Sequence, residues 1–415
     1  MIVRRIKEEE YQRGGQLFGI SFEFPVSFDQ SNAEQIERMK TAPKHRQEVY
    51  YWERWGAFED DDRTMMGFVV TMPMEVEFDG HTVGMTGIGG VSTLPHYRRR
   101  GSIREIMRKS LRTHYEEGYV LSYLFPFSTA YYRQFGYEIC GETIRYTLSL
   151  DAIPRCRSNG RVSLVERGSD YEAIKQVYQE FVKGYNLAAK REDYDFNWVK
   201  EADPAKDARY TYVYYNEAGE PKAYMTFSKT LLGDPPVKAD GRYLMNCQQF
   251  VYADAEGFRG LCEHIHAFDG YYERVAFTLP ASKKIMPYIA EWARYPLRKE
   301  LFNQGMARII NVKRALELAK YRGSGELRIQ VSDPFIEENA HIFRIRFEDG
   351  RAAEVGADDG TAPDISLPVA ELSRLLLGNC EAEELPEMEN VQVSCDLEKL
   401  ASIFYKKPSF VTEAF

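Results

Sequence analysis

One order of secondary structure is written twice along this chain, and it limits the possible folds more than any other feature. In the first copy, Gly67 to Phe78 (GFVVTMPMEVEF) and Thr82 to Ser92 (TVGMTGIGGVS) are β-rich runs joined across Asp79-Gly80. Both turn positions tolerate positive φ, so the pair is predicted to be a hairpin. After a basic loop, the run from Ile103 to Tyr115 places Ile103, Ile106, Met107 and Leu111 on one helical face, and Gly118 stops it. Tyr119 to Phe125 is the next expected strand. The second copy begins near Val162 with an amphipathic helix, DYEAIKQVYQEFVKGY, and a hairpin turning around Asn216 to Gly219. Strand Leu244 to Val251 then leads through YADAEGFRG into a helix from Leu261 to Phe268, followed by strand Arg274 to Leu279.

A third stretch, from about Phe302, opens with GMARIINVKRALELAKY and continues through strands LRIQVSD and HIFRIRFEDGRAAEV, with a turn at Asp349-Gly350. A helix, LPVAELSRLLLG, and the closing run LEKLASIFYKKPSFVTEAF complete it. The fold class is therefore mixed α/β (α+β). At 415 residues the chain is too long for one ordinary core, and three domains are expected, at 1–150, 151–300 and 301–415.

A formal charge of -9 makes the global field unfavourable for nucleic acid and for anionic membrane, so neither is expected as a partner. The six cysteines include no C-x-x-C pair and no histidines at zinc-finger spacing, so they are expected to be reduced core residues. No apolar run reaches signal-peptide or membrane-span length, which places the expected location in the cytoplasm. His264 and His266 stand two apart on a helix and diverge, while the acidic run Glu59 to Asp62 lacks the alternation and glycine of a calcium loop. No metal site is expected.

The basic loop carries the chemistry. Arg98, Arg99 and Arg100 precede Gly101 at the mouth of a helix, where the first N–H groups have no intrahelical partner and the helix dipole is positive. A diphosphate suits that place, and Arg104, one turn in, points to the same anion. The second copy has Asp254 and Glu256 where the first has its arginines, so its loop is expected to repel a diphosphate.

The full segment Val91 to Arg104, VSTLPHYRRRGSIR, follows the pattern V-x-x-x-P-x-x-R-R-R-G and resembles the acyl-CoA motif of the GNAT superfamily of N-acetyltransferases. The tandem organisation and the ending resemble one branch over nearly the whole chain, the enhanced-intracellular-survival (Eis) type. That resemblance implies an acetyl-CoA-binding domain, a degenerate second acetyltransferase domain and a C-terminal domain like sterol carrier protein 2. It implies that acetyl-CoA is the co-substrate, with the backbone of Val91, Ser92 and Thr93 on the pantetheine arm. Arg98 to Arg104 (Arg98, Arg99, Arg100, Gly101, Ser102, Ile103 and Arg104) would then lie along the diphosphate, with Phe127 and Ser128 near the thioester. Ile103 fits the branch's apolar pair after the glycine, whereas Ser102 departs from it.

The stretch AYYRQFGYE resembles the branch's I-Y-x-R-F-G-Y, and matching Phe135-Gly136-Tyr137 to F-G-Y puts Tyr132 in the place of the general acid, with Gln134 where the branch has arginine. The resemblance also implies that the α-carboxylate of the last residue, here Phe415, is the general base, with Glu413 close enough to assist or to bind a cation. Ser21 to Asp29 and the aromatics Tyr50, Tyr51, Trp52 and Trp55 occupy the region that covers the acceptor site in the superfamily. Aromatic and acidic groups suit a cationic amine: an aminoglycoside-like molecule, a polyamine or a lysine. A homohexamer is the implied assembly. Two other activities fit parts of the pattern, an N-myristoyl-type acyltransferase and a non-catalytic carrier or sensor of CoA or lipid.

Overall fold

The computed structural model describes residues 1–25, 37, 52–232, 243–289, 297–358 and 360–413. They form two compact units, one from Met1–Gly141, Gly184–Lys190 and Gln304–Phe415, the other from Glu142–Lys183 and Arg191–Asn303. In chain order come β1 (Ile2–Arg5), α1 (Tyr11–Phe22), β2 (Glu53–Phe58), β3 (Met65–Phe78), β4 (His81–Thr93), α2 (Ser102–Glu116), β5 (Leu121–Leu124), α3 (Thr129–Arg133) and β6 (Glu138–Ser149). Next are β7 (Arg161–Leu164), α4 (Glu172–Val182), β8 (Arg209–Tyr215), β9 (Pro221–Leu231), β10 (Tyr243–Tyr252), α5 (Ala255–His266) and β11 (Arg274–Pro280). The last part holds β12 (Leu297–Ile309), α6 (Val312–Leu318), β13 (Gly325–Ser332), β14 (Ile342–Glu348), β15 (Arg351–Ala357), β16 (Ile365–Pro368), α7 (Val369–Leu376), β17 (Gln392–Val393) and α8 (Leu397–Ile403).

In the first unit the strands run in the order β1-β2-β3-β4-β5-β12. The β3–β4 hairpin closes with Phe78 opposite His81, and its turn residues Asp79 and Gly80 both adopt positive φ (50° and 86°), as the D-G signal requires. β4 and β5 pair in parallel, so a crossover must join them, and α2 supplies it. Ile103, Ile106, Met107, Ser110, Leu111 and His114 are its buried stripe at helical spacing. The second unit repeats this plan in the order β6-β11-β10-β9-β8-β7, with β10 and β11 parallel and α5 between them in sequence. Here α5 starts at Ala255, earlier than the expected Leu261, because Asp254 caps it by accepting the Gly257 N–H at 2.9 Å.

The last part of the chain contributes a second sheet to the first unit, in the order β15-β14-β13-β16-β17. Its opening run GMARIINVKRALELAKY divides: the first residues finish β12, which pairs with β5, and helix α6 begins after the Asn311 cap. One apolar core spans both sheets of this unit, joining Val76, Phe78, Met85 and Leu121 to Ile309, Leu316, Leu327, Ile345, Leu372 and Val411. The Asp79 turn is buried within it. Its carboxylate accepts from Lys407 Nζ (2.6 Å) and the Lys320 N–H (2.7 Å), while its own N–H donates to Asn186 Oδ1 (2.8 Å). Six cysteines are free thiols, and no helix among the described residues is long and apolar enough to cross a membrane.

Candidate active site

The segment expected at the cofactor begins where β4 and β5 part. Their parallel pairing ends at Ile88 opposite Leu124, because β5 stops there while β4 continues to Thr93. Beyond that point β4 pairs with β3 alone among the described residues, so one row of backbone groups is left open. A bulge sits in the same stretch: Phe68 pairs with Ser92 and Val70 with Gly89, leaving Gly90 and Val91 opposite Val69. Gly90 takes φ 58° there, and a bulge of this kind re-aims the strand and its amides. An extended chain carrying amide groups, such as a pantetheine arm, has hydrogen-bonding partners along Val91 to Thr93.

The loop then turns into α2. Arg99 (φ 66°) and Gly101 (φ 84°) both lie in the left-handed region, which folds successive N–H groups to one side. Gly101 is the helix N-cap and has no side chain to satisfy the first N–H groups, so they remain available to an anion. Arg98 and Arg99 are exposed and have no ion-pair partner among the described residues, whereas Arg100 faces Glu59 at 3.9 Å and lies over the Tyr97 ring at 5.0 Å. Arg104 donates to Gln134 Oε1 at 3.2 Å.

These residues open onto a cleft of about 670 Å³ lined by Val91, Ser92, Thr93, Arg98, Arg99, Gly101, Ser102, Ile103, Arg104 and Phe127, together with Ser21, Phe22, Tyr97, Tyr131, Gln134 and Phe135. The buried hydroxyls of Ser21 and Ser102 have no hydrogen-bond partner among the described residues. Unsatisfied hydroxyls and free cations on one wall, an exposed Phe127 ring on another, fit a ligand that is phosphorylated at one end and apolar at the other. Of the residues expected at the cofactor, Arg100 and Ser128 do not line the cleft. Arg100 is held by Glu59 and Tyr97, and Ser128 caps α3, accepting the Tyr131 N–H at 3.3 Å.

Helix α3 carries the tyrosines. Tyr132 is 3% exposed, and its ring lies 5.5 Å from Phe127 and 5.2 Å from Tyr131, both of which line the cleft. Burial pushes its phenol well above the ordinary range, with small further contributions from Tyr131 and Tyr137, and its hydroxyl has no hydrogen-bond partner among the described residues. Tyr137 differs: burial raises it to about 12, but its hydroxyl shares a 2.6 Å hydrogen bond with Ser122. Tyr131 is half-buried.

Phe415, expected as the base, lies outside the described residues. The tail leading to it is held as far as Thr412: Gln304 bonds both the N–H and the C=O of Val411 (2.9 and 2.8 Å), and Thr412 Oγ1 accepts the Ala189 N–H at 3.0 Å. Glu413 accepts from Thr412 Oγ1 at 3.2 Å. Of the residues expected to cover the acceptor, Phe22 and Phe24 are 51% and 42% exposed, so they are not core, and Phe22 lines the cleft. Trp55 is core, at 2% exposure with its indole donating to Thr71 Oγ1, and it cannot line an acceptor pocket. Tyr50 and Tyr51 lie outside the described residues. Tyr97 and Gln134, which stand in the sequence motifs without a cofactor role, and Ser21, which the sequence assigns to the acceptor region, line the cleft as well.

In the second unit the corresponding helix end is closed by its own carboxylate. Asp254 caps α5 and is paired with Lys222 at 3.5 Å, so the place of a diphosphate is taken by a fixed negative charge. Elsewhere Glu53, His114 and Glu117 bring ligand atoms within 4.8 Å of one another, but Arg5 already supplies the cation there, 2.7 Å from each carboxylate.

Residues 2–140 match an acetyltransferase (GNAT) domain family, residues 187–309 match a second acetyltransferase (GNAT) domain family, and residues 312–412 match a sterol carrier protein domain family. No curated protein matches the sequence. Among solved structures, a probable N-acyltransferase from Enterococcus faecalis is similar with TM-score 0.81 at 21% identity, covering 100% of this chain and 99% of that one. A GCN5-related N-acetyltransferase from Anabaena variabilis is similar with TM-score 0.77 at 19% identity, covering 99% and 100%. Eis1 from Mycobacterium abscessus is similar with TM-score 0.76 at 18% identity, covering 100% of both. The chain thus carries two acetyltransferase (GNAT) domains followed by a sterol carrier protein domain, in a fold shared along its full length with these three structures.

Proposed function

We propose that the protein transfers the acetyl group of acetyl-CoA to a primary amine by direct attack, in the cleft between the Val91–Arg104 segment and α3. The amine nitrogen attacks the thioester carbonyl carbon and its proton passes to the Phe415 carboxylate. As the C–S bond breaks, the departing thiolate takes a proton from the Tyr132 phenol, giving an N-acetylated amine and CoA. The observation that carries this reading is the placement of Tyr132, its hydroxyl without a hydrogen-bond partner among the described residues and its ring packed against the two cleft residues Phe127 and Tyr131. An acid must be protonated before the step and must have no other acceptor to serve.

The open backbone of Val91 to Thr93 would hold the pantetheine arm, and Arg98 to Arg104 the diphosphate. The exposed Phe22 and Phe24 supply π faces for a cation at the acceptor end. That favours an aminoglycoside-like molecule, a polyamine or a lysine, and a cytoplasmic location puts all three within reach of acetyl-CoA. Assembly as a homohexamer is part of the proposal and is checked by light scattering.

The test offers acetyl-CoA with a broad panel of amines and reads CoA thiol release and product mass. Deleting Phe415 is expected to abolish turnover while CoA affinity stays within about twofold. Full activity of the truncated protein would remove the base from the proposal. CoA binding by the intact protein without turnover of any amine would favour a carrier, and turnover of long-chain acyl-CoA alone a myristoyl-type transferase.

A further inference from the structure

Arg308, on β12, is the largest fully buried side chain of the molecule's described part, at 0% exposure. A buried guanidinium is costly unless its donors are met; here both Nη atoms are met, from two directions, while Nε has no hydrogen-bond partner among the described residues. Nη2 donates to both carboxylate oxygens of Asp333, at 2.7 and 2.6 Å, and Nη1 donates to the carbonyl oxygen of Phe135. Asp333 is itself fixed, accepting the Phe335 N–H (2.9 Å) and Asn339 Nδ2 (2.8 Å), and Asn339 Nδ2 also donates to the Ile310 carbonyl (2.8 Å). The far end of this network therefore belongs to the stretch between β13 and β14.

Its near end is the turn after α3. The Tyr132 carbonyl accepts the N–H of Phe135 (3.0 Å) and of Tyr137 (3.4 Å), so the turn is closed on Tyr132 and pinned through the Phe135 carbonyl. Gly136 shows how close the pin is. It takes φ 80°, and a Cβ there would fall on Arg308 Nη1. Phe335 packs on Phe135 with ring centroids 5.8 Å apart, from the same stretch that holds Asp333. An ion pair of this kind contributes little net stability compared with apolar residues of equal size.

We propose that Arg308 is a positioning residue for the reaction: with Asp333 it ties the stretch between β13 and β14 to the Phe135 carbonyl and thereby sets how Tyr132 is held behind the cleft residues Phe127 and Tyr131. This rests on the reading of Tyr132 as the proton donor. The test is a cycle between Arg308→Met combined with Asp333→Asn, which leaves no charge buried alone, and Tyr132→Phe, using an amine the panel identifies. Acting through Tyr132, the Arg308 and Asp333 pair change lowers kcat about 10- to 100-fold with CoA affinity by calorimetry within about twofold, and costs nothing further when Tyr132 is already Phe. A structural contact alone would lower Tm and leave kcat per folded molecule unchanged, or would multiply with the Tyr132→Phe loss; either overturns the proposal. Should the paired variant fail to fold, Gly136→Ala displaces the same contact without touching a charge and enters the same cycle. If Tyr132→Phe alone keeps full kcat, the proton-donor reading falls and the proposal with it; if it loses kcat and the cycle is additive, the proposal alone falls.

Discussion

Tyr131, Tyr132 and Tyr137 have the same side chain and three different surroundings, and those surroundings assign their work. Tyr137 spends its hydroxyl on Ser122, Tyr131 shields Tyr132 from one side, and Tyr132 keeps a protonated hydroxyl without a partner among the described residues. Tyr132→Phe is expected to lower kcat by about 10² to 10⁴ with little change in acetyl-CoA affinity, whereas Tyr131→Phe, which keeps the ring, should stay within about threefold; steady-state kinetics on both decide it. The motif around Phe135-Gly136-Tyr137 points to Tyr132 in the sequence, and the role proposed for it starts from that match. Burial was not legible there, which is why Trp55 reads as an acceptor aromatic and proves to be core, and why Phe22 and Phe24 could have been core and prove to be exposed. Ser128 was expected near the thioester; its side chain serves α3 as a cap, a role visible only once the helix boundary is known.

At the scale of elements, periodicity and turn chemistry were strong signals. The Asp79-Gly80 hairpin, helix α2 and its stop at Gly118 follow from φ preference and a 3.6-residue stripe, and the structure has them within a few residues of the expected ends. The short edge strand β1 has no such pattern to read. The bulge at Gly90 leaves no sequence signature beyond a Gly-Gly pair, yet it shapes the backbone proposed to hold the pantetheine arm. The step from α3 to β6 is fixed by Glu138, whose carboxylate burial alone would raise; the bidentate Arg133 bonds at 2.7 and 2.9 Å, with the Ile139 N–H, outweigh that and lower it. A carboxylate lowered in the folded state contributes stability above its unfolded pKa of about 4.3 and loses that contribution as pH falls through the folded value. Tm should therefore drop more steeply below about pH 4 in the wild type than in Glu138→Gln, measured by calorimetry across that range. Parallel curves would mean that the pair contributes nothing to the acid limb.

At the scale of the whole molecule, the sequence suggests three successive segments, and the first and last of them share a core. Apolar stripes on β3, β5, α6 and α7 announce that each element has a buried face, but not which faces meet. The Asp79 carboxylate shows the cost of that blindness: a hairpin-turn aspartate, expected at a surface, is buried under Lys407 and the Lys320 N–H, more than 200 residues away in sequence. Removing residues 312–415 would expose Val76, Phe78, Met85 and Leu121 and leave Asp79 without its cation. The truncated first domain is expected to aggregate, or to bind a hydrophobic dye with loss of near-ultraviolet dichroism, while a well-folded monomer would refute the shared core.

The proposed cofactor site centres on the Val91–Arg104 segment of the first unit, and calorimetric titration with CoA tests that most directly. Arg98→Ala with Arg99→Ala, which removes two exposed cations from the mouth of α2, should weaken binding about tenfold per arginine, the loss of one charge-assisted hydrogen bond of about 1.5 kcal/mol each. Arg259→Ala with Lys283→Ala, which removes cations lining the cleft at the N-terminus of α5, should leave the affinity unchanged. Equal affinity in the first variant, or a loss confined to the second, would contradict the assignment of the cofactor to Val91–Arg104.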